Sequence, residues 1–299
     1  MRSQCVGRPL RSFLFVPGDS EKKIGKIAGS PADAVILDLE DSVSPARKVP
    51  AREMVSAFIA ESSTETVGPQ LWVRINPLDS GSALEDLAAV VPASPAGIMI
   101  PKIDGPDDVR RVQHHVEALE VMSGVPAGQI RLLPVATETP AAPFRLGDFA
   151  TAGIDRLYGL TWGAEDLSAA LGASTNVDDD GHWSTTYKLV RSLALMGAHA
   201  AGVEAVETLY VDIRDTEGLA ASSRRARAEG FSGRIAIHPA QVEAINEAFT
   251  PTEAEIDFAK RVVEAFVGDV GTIALDGRML DLPHLQQARR VLALVGEEG

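Results

Sequence analysis

Eight short apolar runs, each closing on a polar or turn cluster and separated from the next by a stretch of helical composition, constrain this chain most. They fall at residues 11–17 (RSFLFVP), 34–41 (AVILDLED), 71–77 (LWVRINP), 97–103 (GIMIPKI), 131–139 (RLLPVATET), 156–162 (RLYGLTW), 205–213 (AVETLYVDI) and 234–239 (RIAIHP). Such runs show little alternation, the pattern of parallel strands buried on both faces. Residues 107–122 typify the segments between them, with Val109, Val112, Val116 and Leu119 at helical spacing and charges on the other face. Alternating strands and helices call for parallel βα units. Eight of them predict a closed TIM-type (β/α)8 barrel over residues 1–250.

A barrel of this kind takes ~250 residues as one domain, which suits a chain of 299. Residues 240–299 exceed the single helix needed to close it. Within them, 253–266 reads as a helix, 273–282 (IALDGRMLDL) as a turn-containing excursion and 284–295 as a last helix. Residues 251–299 are therefore expected to form a C-terminal lid or subunit contact within the same functional unit.

Charge and cysteine usage exclude several functions. A net charge of −14 argues against binding a nucleic-acid backbone, because such proteins gather Lys and Arg on one face. Any anionic ligand must meet a local basic pocket. Cys5 is the only cysteine, so neither an intramolecular disulfide nor a thiolate metal cluster is expected. No ~20-residue apolar run and no leader with an apolar stretch and small-residue cleavage site is evident, which predicts a cytoplasmic protein without a membrane partner.

In a parallel barrel, chemistry collects at the C-terminal ends of the strands. Here those ends carry Asp38, Glu40 and Asp41 on the second run, Arg74 and Asn76 on the third, Lys102 on the fourth, Glu138 on the fifth, Glu165 and Asp166 after the sixth and His238 on the eighth. Adjacent strands lie ~5 Å apart, so Glu138 and Asp166 can share one hard cation. Without a cysteine or a paired-histidine motif, oxygen ligands favour Mg2+ or Mn2+ over Zn2+. A bland reading is also open on spacing alone, with Glu138 capping a loop and Asp166 opening a helix.

Three acids in four residues at 38–41 need a cation, an arginine or water, because unpaired buried charge is strongly disfavoured. A role in orienting metal-bound water stands beside ordinary helix capping. Arg74 has a fork suited to a carboxylate or enolate oxygen, or to a structural ion pair with Asp38 or Glu40. At 161–167 (TWGAEDL), Gly163 lets backbone N–H groups converge at a helix start, a setting for a substrate carboxylate or for plain capping. Lys22, Lys23 and Lys26 read either as phosphate contacts or as a solvated helix face. His238 reads as a base or as a structural residue before Pro239. GxSxG, GxGxxG and Walker motifs are absent.

Taken together and in this order, RSFLFVPGDSEKK, AVILDLEDSV, WVRINPL, GIMIPKI, ETP, GAEDLSA, GRIAIHPAQVEAIN and LDGRMLD resemble the citrate lyase β-subunit-like branch of the HpcH/HpaI aldolase superfamily. The resemblance runs from about residue 11 to the C-terminus. It implies a Mg2+-dependent carbon–carbon lyase acting on β-hydroxyacyl-CoA thioesters such as citryl-, malyl- or citramalyl-CoA. By that resemblance Glu138 and Asp166 hold the metal, Mn2+ being a possible substitute, and Arg74 contacts the keto-acid portion. Glu40 and Asp41 hold metal-bound water, and the backbone of Gly163, Ala164, Glu165 and Asp166 receives the substrate carboxylate. Lys22, Lys23 and Lys26 become contacts for the CoA phosphates. Asp281, in DGRMLD, matches an Asp of the C-terminal lid that acts in catalysis, often in a neighbouring subunit's site, which implies a homo-oligomer such as a trimer. The segment ATETPAAPFRL departs from the alanine-rich, proline-free helix start of many relatives and leaves the substrate open. A metal-dependent aldolase acting on free hydroxy-keto acids and a malyl-CoA thioesterase are the alternatives.

Overall fold

A computed structural model describes residues 9–62, 68–266 and 271–297; Cys5 lies outside them. Eight strands form one sheet: β1 (Ser12–Pro17), β2 (Ala34–Asp38), β3 (Gln70–Arg74), β4 (Gly97–Ile100), β5 (Arg131–Pro134), β6 (Gly159–Thr161), β7 (Glu204–Glu207) and β8 (Gly233–Ala236). Their order is β5-β4-β3-β2-β1-β8-β7-β6, with every ladder parallel. The two ends meet through the parallel bridges Leu132–Leu157 and Val135–Thr161, with the Ala136 N–H donating to Thr161 O at 2.8 Å. The sheet thereby closes into the expected (β/α)8 barrel.

Closure explains why the runs lack alternation. Phe13, Ile36, Trp72, Met99, Leu133, Tyr158 and Ile235 fill the barrel interior. Their chain neighbours Leu14, Val35, Leu37, Val73, Ile98 and Leu132 pack outward against the helices. Both faces are dry, so both are apolar. Inside, Phe13, Trp72 and Tyr158 meet edge to face with centroids 5.3–5.9 Å apart. Gly97 makes room for this cluster: a Cβ there would lie 2.3 Å from the Trp72 ring.

Several strands are shorter than their apolar runs. The second ends at Asp38 instead of residue 41, the fifth at Pro134 instead of 139, and the seventh at Glu207 instead of 213. Past Asp38 and Pro134 single backbone bonds still reach the neighbouring strands, Leu39 N–H to Arg74 O and Val135 N–H to Ile100 O, before the chain turns, so the apolar runs outlast the regular ladder. Val211 and Ile213 are exposed.

After the barrel come the helix Glu253–Ala265, an antiparallel hairpin of β9 (Thr272–Leu275) and β10 (Arg278–Asp281), and the helix Leu282–Leu294. Asp276 and Gly277, at φ 50° and 74°, make the two-residue turn, the Asp-Gly pairing that type I′ turns favour. This segment has its own apolar cluster of Ala259, Val262, Leu280, Ala288 and Leu292. Among the described residues no helix is long and apolar enough to cross a membrane.

Candidate functional site

The site begins with strand register. Asp38 and Arg74 are partners on β2 and β3, so their side chains leave the sheet together. Arg74 donates from Nε to Asp38 Oδ1 at 2.7 Å and from Nη2 to Asp38 Oδ2 at 2.8 Å, and its guanidinium lies 4.6 Å from the centre of the Phe15 ring. Asp38 also accepts the Glu40 and Ser42 N–H groups, which turns the chain sharply after β2. That turn buries Glu40, whose Oε2 lies 2.9 Å from Arg74 Nη1 as an ion pair without hydrogen-bond geometry. Asp41 is more open, with 60% of its side chain exposed.

A second buried network braces this loop. Arg52 donates to Asp86 Oδ1, Asp86 Oδ2 accepts both N–H groups of Asn76, and Asn76 Nδ2 also donates to Leu39 O at 3.0 Å. Lys48 Nζ donates to the carbonyls of Leu39 and Glu40, each at 2.7 Å. Lys48, Arg52 and Asp86 carried no signal in the sequence, because they sit on helices whose facing partners only the fold selects.

Glu138 lies just past β5 and is 6% exposed. Its Oε2 accepts the Lys102 backbone N–H at 2.6 Å. Gly163 closes the other side: a Cβ there would fall 3.0 Å from Glu138 Cγ. Burial, followed by the nearby Asp166 and Glu40 charges, pushes the Glu138 carboxyl up to about 8, although the Lys102 N–H pulls the other way. Burial likewise raises Glu40, against the opposing pull of Arg74 and Lys102. For Asp38, burial is outweighed by its bonds to Arg74, which hold it below the ordinary carboxylate range.

Asp166 stands in the first turn of the short helix Glu165–Ala170, and its Oδ1 lies 3.2 Å from Lys102 Nζ. The same ammonium reaches Glu40 Oε1 at 2.5 Å and Asp41 Oδ2 at 3.4 Å. Lys102 was visible in the sequence as a strand-end cation, but nothing local told that it joins the β2 acids to Asp166.

Asp38, Asp41, Arg74, Glu138 and residues 163–166 line a cavity of about 930 Å3 at the C-terminal mouth, and Glu40 and Lys102 touch that lining through Arg74, Asp41 and Asp166. Lys23 and Lys26 line it too, whereas Lys22 does not, and all three are exposed. The Gly163 N–H is taken by Thr137 Oγ1 at 3.0 Å, so the convergent amides expected there reduce to those of Ala164, Glu165 and Asp166, at a helix start with no side-chain cap. The Glu165 carboxylate accepts from Asn176. His238 lies on the rim, where its Nδ1 accepts the Ala240 N–H in a capping box with Gln241. Asp281 does not line this cavity; it caps the last helix, with Oδ1 2.6 Å from His284 Nδ1.

The HpcH/HpaI aldolase/citrate lyase family matches residues 11–239, from β1 to just past β8. The chain belongs to this family. Relatives of this HpcH/HpaI lyase include a mitochondrial citramalyl-CoA lyase of Rattus norvegicus, 32% identical over 96% of this chain and 86% of the relative. The citrate lyase subunit beta of Escherichia coli (strain K12) is 33% identical over 96% of this chain and 93% of its own. Among solved structures, Mycobacterium tuberculosis CitE in complex with magnesium, acetoacetate and coenzyme A superposes with a TM-score of 0.77 at 31% identity, covering 97% of this chain and 99% of that one. The M. tuberculosis citrate lyase beta subunit complexed with oxaloacetate and magnesium gives 0.66 at 30% identity, covering 81% and 98%.

In this lyase the donor set fits a hard divalent cation. Glu138, Asp166, Glu40 and Asp41 offer only carboxylate oxygens, and a carboxyl whose ionisation burial has made costly gains most from an adjacent cation. Among the described residues no three His, Cys, Asp or Glu side chains form a ready-made ligand set. Mg2+ keeps several waters and takes one or two carboxylates together with substrate oxygens, a role the Glu138 and Asp166 carboxylates can fill.

Proposed function

We propose that this lyase cleaves, or in reverse condenses, a β-hydroxyacyl-CoA thioester such as citryl-, malyl- or citramalyl-CoA, giving acetyl-CoA and a keto acid. The observation that carries the reading is the pairing of buried Glu138 with Asp166 at the mouth of a cavity that also holds Arg74 and, at its edge, Lys23 and Lys26. Mg2+ held by Glu138 and Asp166 would supply Lewis-acid polarisation of the substrate oxygen.

The chain's own residues divide the remaining work. Arg74, fixed by its fork to Asp38 and with Nη1 beside Glu40, lines the cavity and would steady the oxygen of the forming keto acid. Glu40 and Asp41 accept hydrogen bonds from water beside the metal position. The amides of Ala164, Glu165 and Asp166 take the substrate carboxylate, and Lys23 and Lys26 meet CoA phosphates; Lys22 contributes only long-range charge from outside the cavity. Asp281 exchanges a proton with the α-carbon of the acetyl thioester. We place Asp281, which does not line the cavity of its own chain, at the site of a neighbouring copy, with residues 251–299 acting as the lid between protomers. The assembly is then a homo-oligomer, such as a trimer.

A panel of citryl-, malyl- and citramalyl-CoA and free hydroxy-keto acids, assayed with Mg2+ and again with EDTA, tests this reading. Acetyl-CoA and keto acid should appear in equal amounts from a thioester only, and chelation should abolish the reaction. Release of free CoA and hydroxy acid would make the enzyme a thioesterase. Cleavage of the free acids alone would make it a keto-acid aldolase, and activity indifferent to EDTA would remove the metal.

A further inference from the structure

The geometry points to Lys102 as the internal counter-ion of the metal site: its ammonium holds Asp166 and Glu40 together in the metal-free protein and thereby sets how tightly a divalent cation binds. This rests on Glu138 and Asp166 being the metal ligands.

Backbone conformation is the first support. β4 ends at Ile100, and Lys102, two residues on, has φ 50°. A non-glycine side chain in the left-handed region is strained, so such residues mark places where the surroundings demand them. Here one turn of backbone does two things. It aims the Lys102 N–H at Glu138 Oε2, and it sends the side chain across the mouth to the acids beyond β2 and β6.

Charge balance is the second. Asp38, Glu40, Asp41, Glu138 and Asp166 crowd one mouth, and Arg74 is committed to Asp38 and Glu40. Among the described residues, the ion pair that reaches Asp166 is the one with Lys102 Nζ. That ammonium is also the group that ties Asp166 to Glu40 Oε1 and Asp41 Oδ2. It therefore stands where the negative charge of both halves of the site overlaps, next to an oxygen that a metal ion needs.

The sign of the effect follows. A cation arriving at Asp166 must displace the ammonium from Oδ1 or share that oxygen with it, and either opposes binding. Removing the ammonium also leaves the metal-free acids repelling one another, which raises the free energy of the empty site. Both effects tighten metal binding when Lys102 is lost. A purely structural ion pair would instead stabilise free and loaded protein alike and leave the dissociation constant unmoved.

The test is Mn2+ titration of the full-length chain by calorimetry, with melting curves with and without Mn2+, for wild type, Glu138→Gln, Lys102→Met, Lys102→Gly and Lys102→Arg. Lys102→Met and Lys102→Gly should bind Mn2+ about tenfold more tightly than wild type and melt lower only without metal, whereas Lys102→Arg should stay within about twofold. Glycine adopts positive φ freely, so Lys102→Gly carries the test if the Met variant fails to fold. Unchanged or weaker binding in the folded variants overturns the inference. So does a Lys102→Gly chain that stays unfolded even in saturating Mn2+, because a counter-ion is dispensable once the cation is present. Wild-type binding abolished in Glu138→Gln upholds the ligand assignment whatever the lysine variants do. Equal binding by wild type and Glu138→Gln removes that assignment and this inference with it.

Discussion

Glu138 concentrates the physics of the site in one residue. Its carboxyl is buried, held by one backbone N–H and faced by Asp166 and Glu40, so its proton is retained up to about 8. In an unfolded chain the same carboxyl ionises near ~4.3. Between those values the folded protein holds the extra proton, so the metal-free fold loses stability as pH rises from about 5 to about 8 and levels off above. Asp38 has the opposite sign, its contribution being present above the unfolded value and lost only in stronger acid, so it leaves that window clear. Chemical denaturation of metal-free wild type and Glu138→Gln across this range should show wild type losing on the order of a few kcal/mol relative to the variant. Parallel pH profiles would refute the assignment of a buried, proton-holding carboxyl. The sequence made Glu138 visible as an acid where an apolar run meets Pro140. Its burial and the charges around it come from other strands and could not be read locally.

At the scale of elements, what positions this acid is the closing seam between β5 and β6. Thr137 and Gly163 lie two residues beyond the Val135–Thr161 bridge and exchange hydrogen bonds, the Gly163 N–H to Thr137 Oγ1 and the Thr137 hydroxyl to Gly163 O. Gly163 thus has a packing reason the sequence did not suggest, since its missing Cβ is the space the Glu138 stem fills. Gly163→Ala should shift that carboxylate by a few tenths of an ångström, weaken Mn2+ binding about tenfold and cost only about 1 kcal/mol of stability. Calorimetric titration beside a melting curve checks both; unchanged affinity would mean that Glu138 is not held by this contact. Strands and helices themselves were legible because period and composition are local. Strand ends were overextended where apolar chain continues past the last ladder bond, as at residues 208–213. The hairpin of β9 and β10 passed as an excursion although Asp276 and Gly277 carried its turn signal.

Across the whole molecule, Asp281 belongs to a segment with its own small core and takes no part in the cavity of its own barrel. If it acts on a neighbouring copy, mixing inactive Glu138→Gln chains with inactive Asp281→Asn chains should restore activity. Random exchange of subunits would give about a quarter of the wild-type rate per site, because half the sites have Glu138 and half of those face an intact Asp281. A mixture that stays inactive after exchange would remove the shared-site arrangement. By itself the sequence determined the eight βα units, the apolar faces that close them into a barrel, the strand ends where acids gather, and the family. Each rests on periodicity or on residues adjacent in the chain. Only the tertiary structure decided that Arg74 locks onto Asp38, that Thr137 takes the Gly163 N–H, that Lys102 stands among Glu40, Asp41 and Asp166, and that Asp281 lies outside its own cavity. Those meetings depend on strand order and register around the closed barrel, which bring together side chains far apart in sequence.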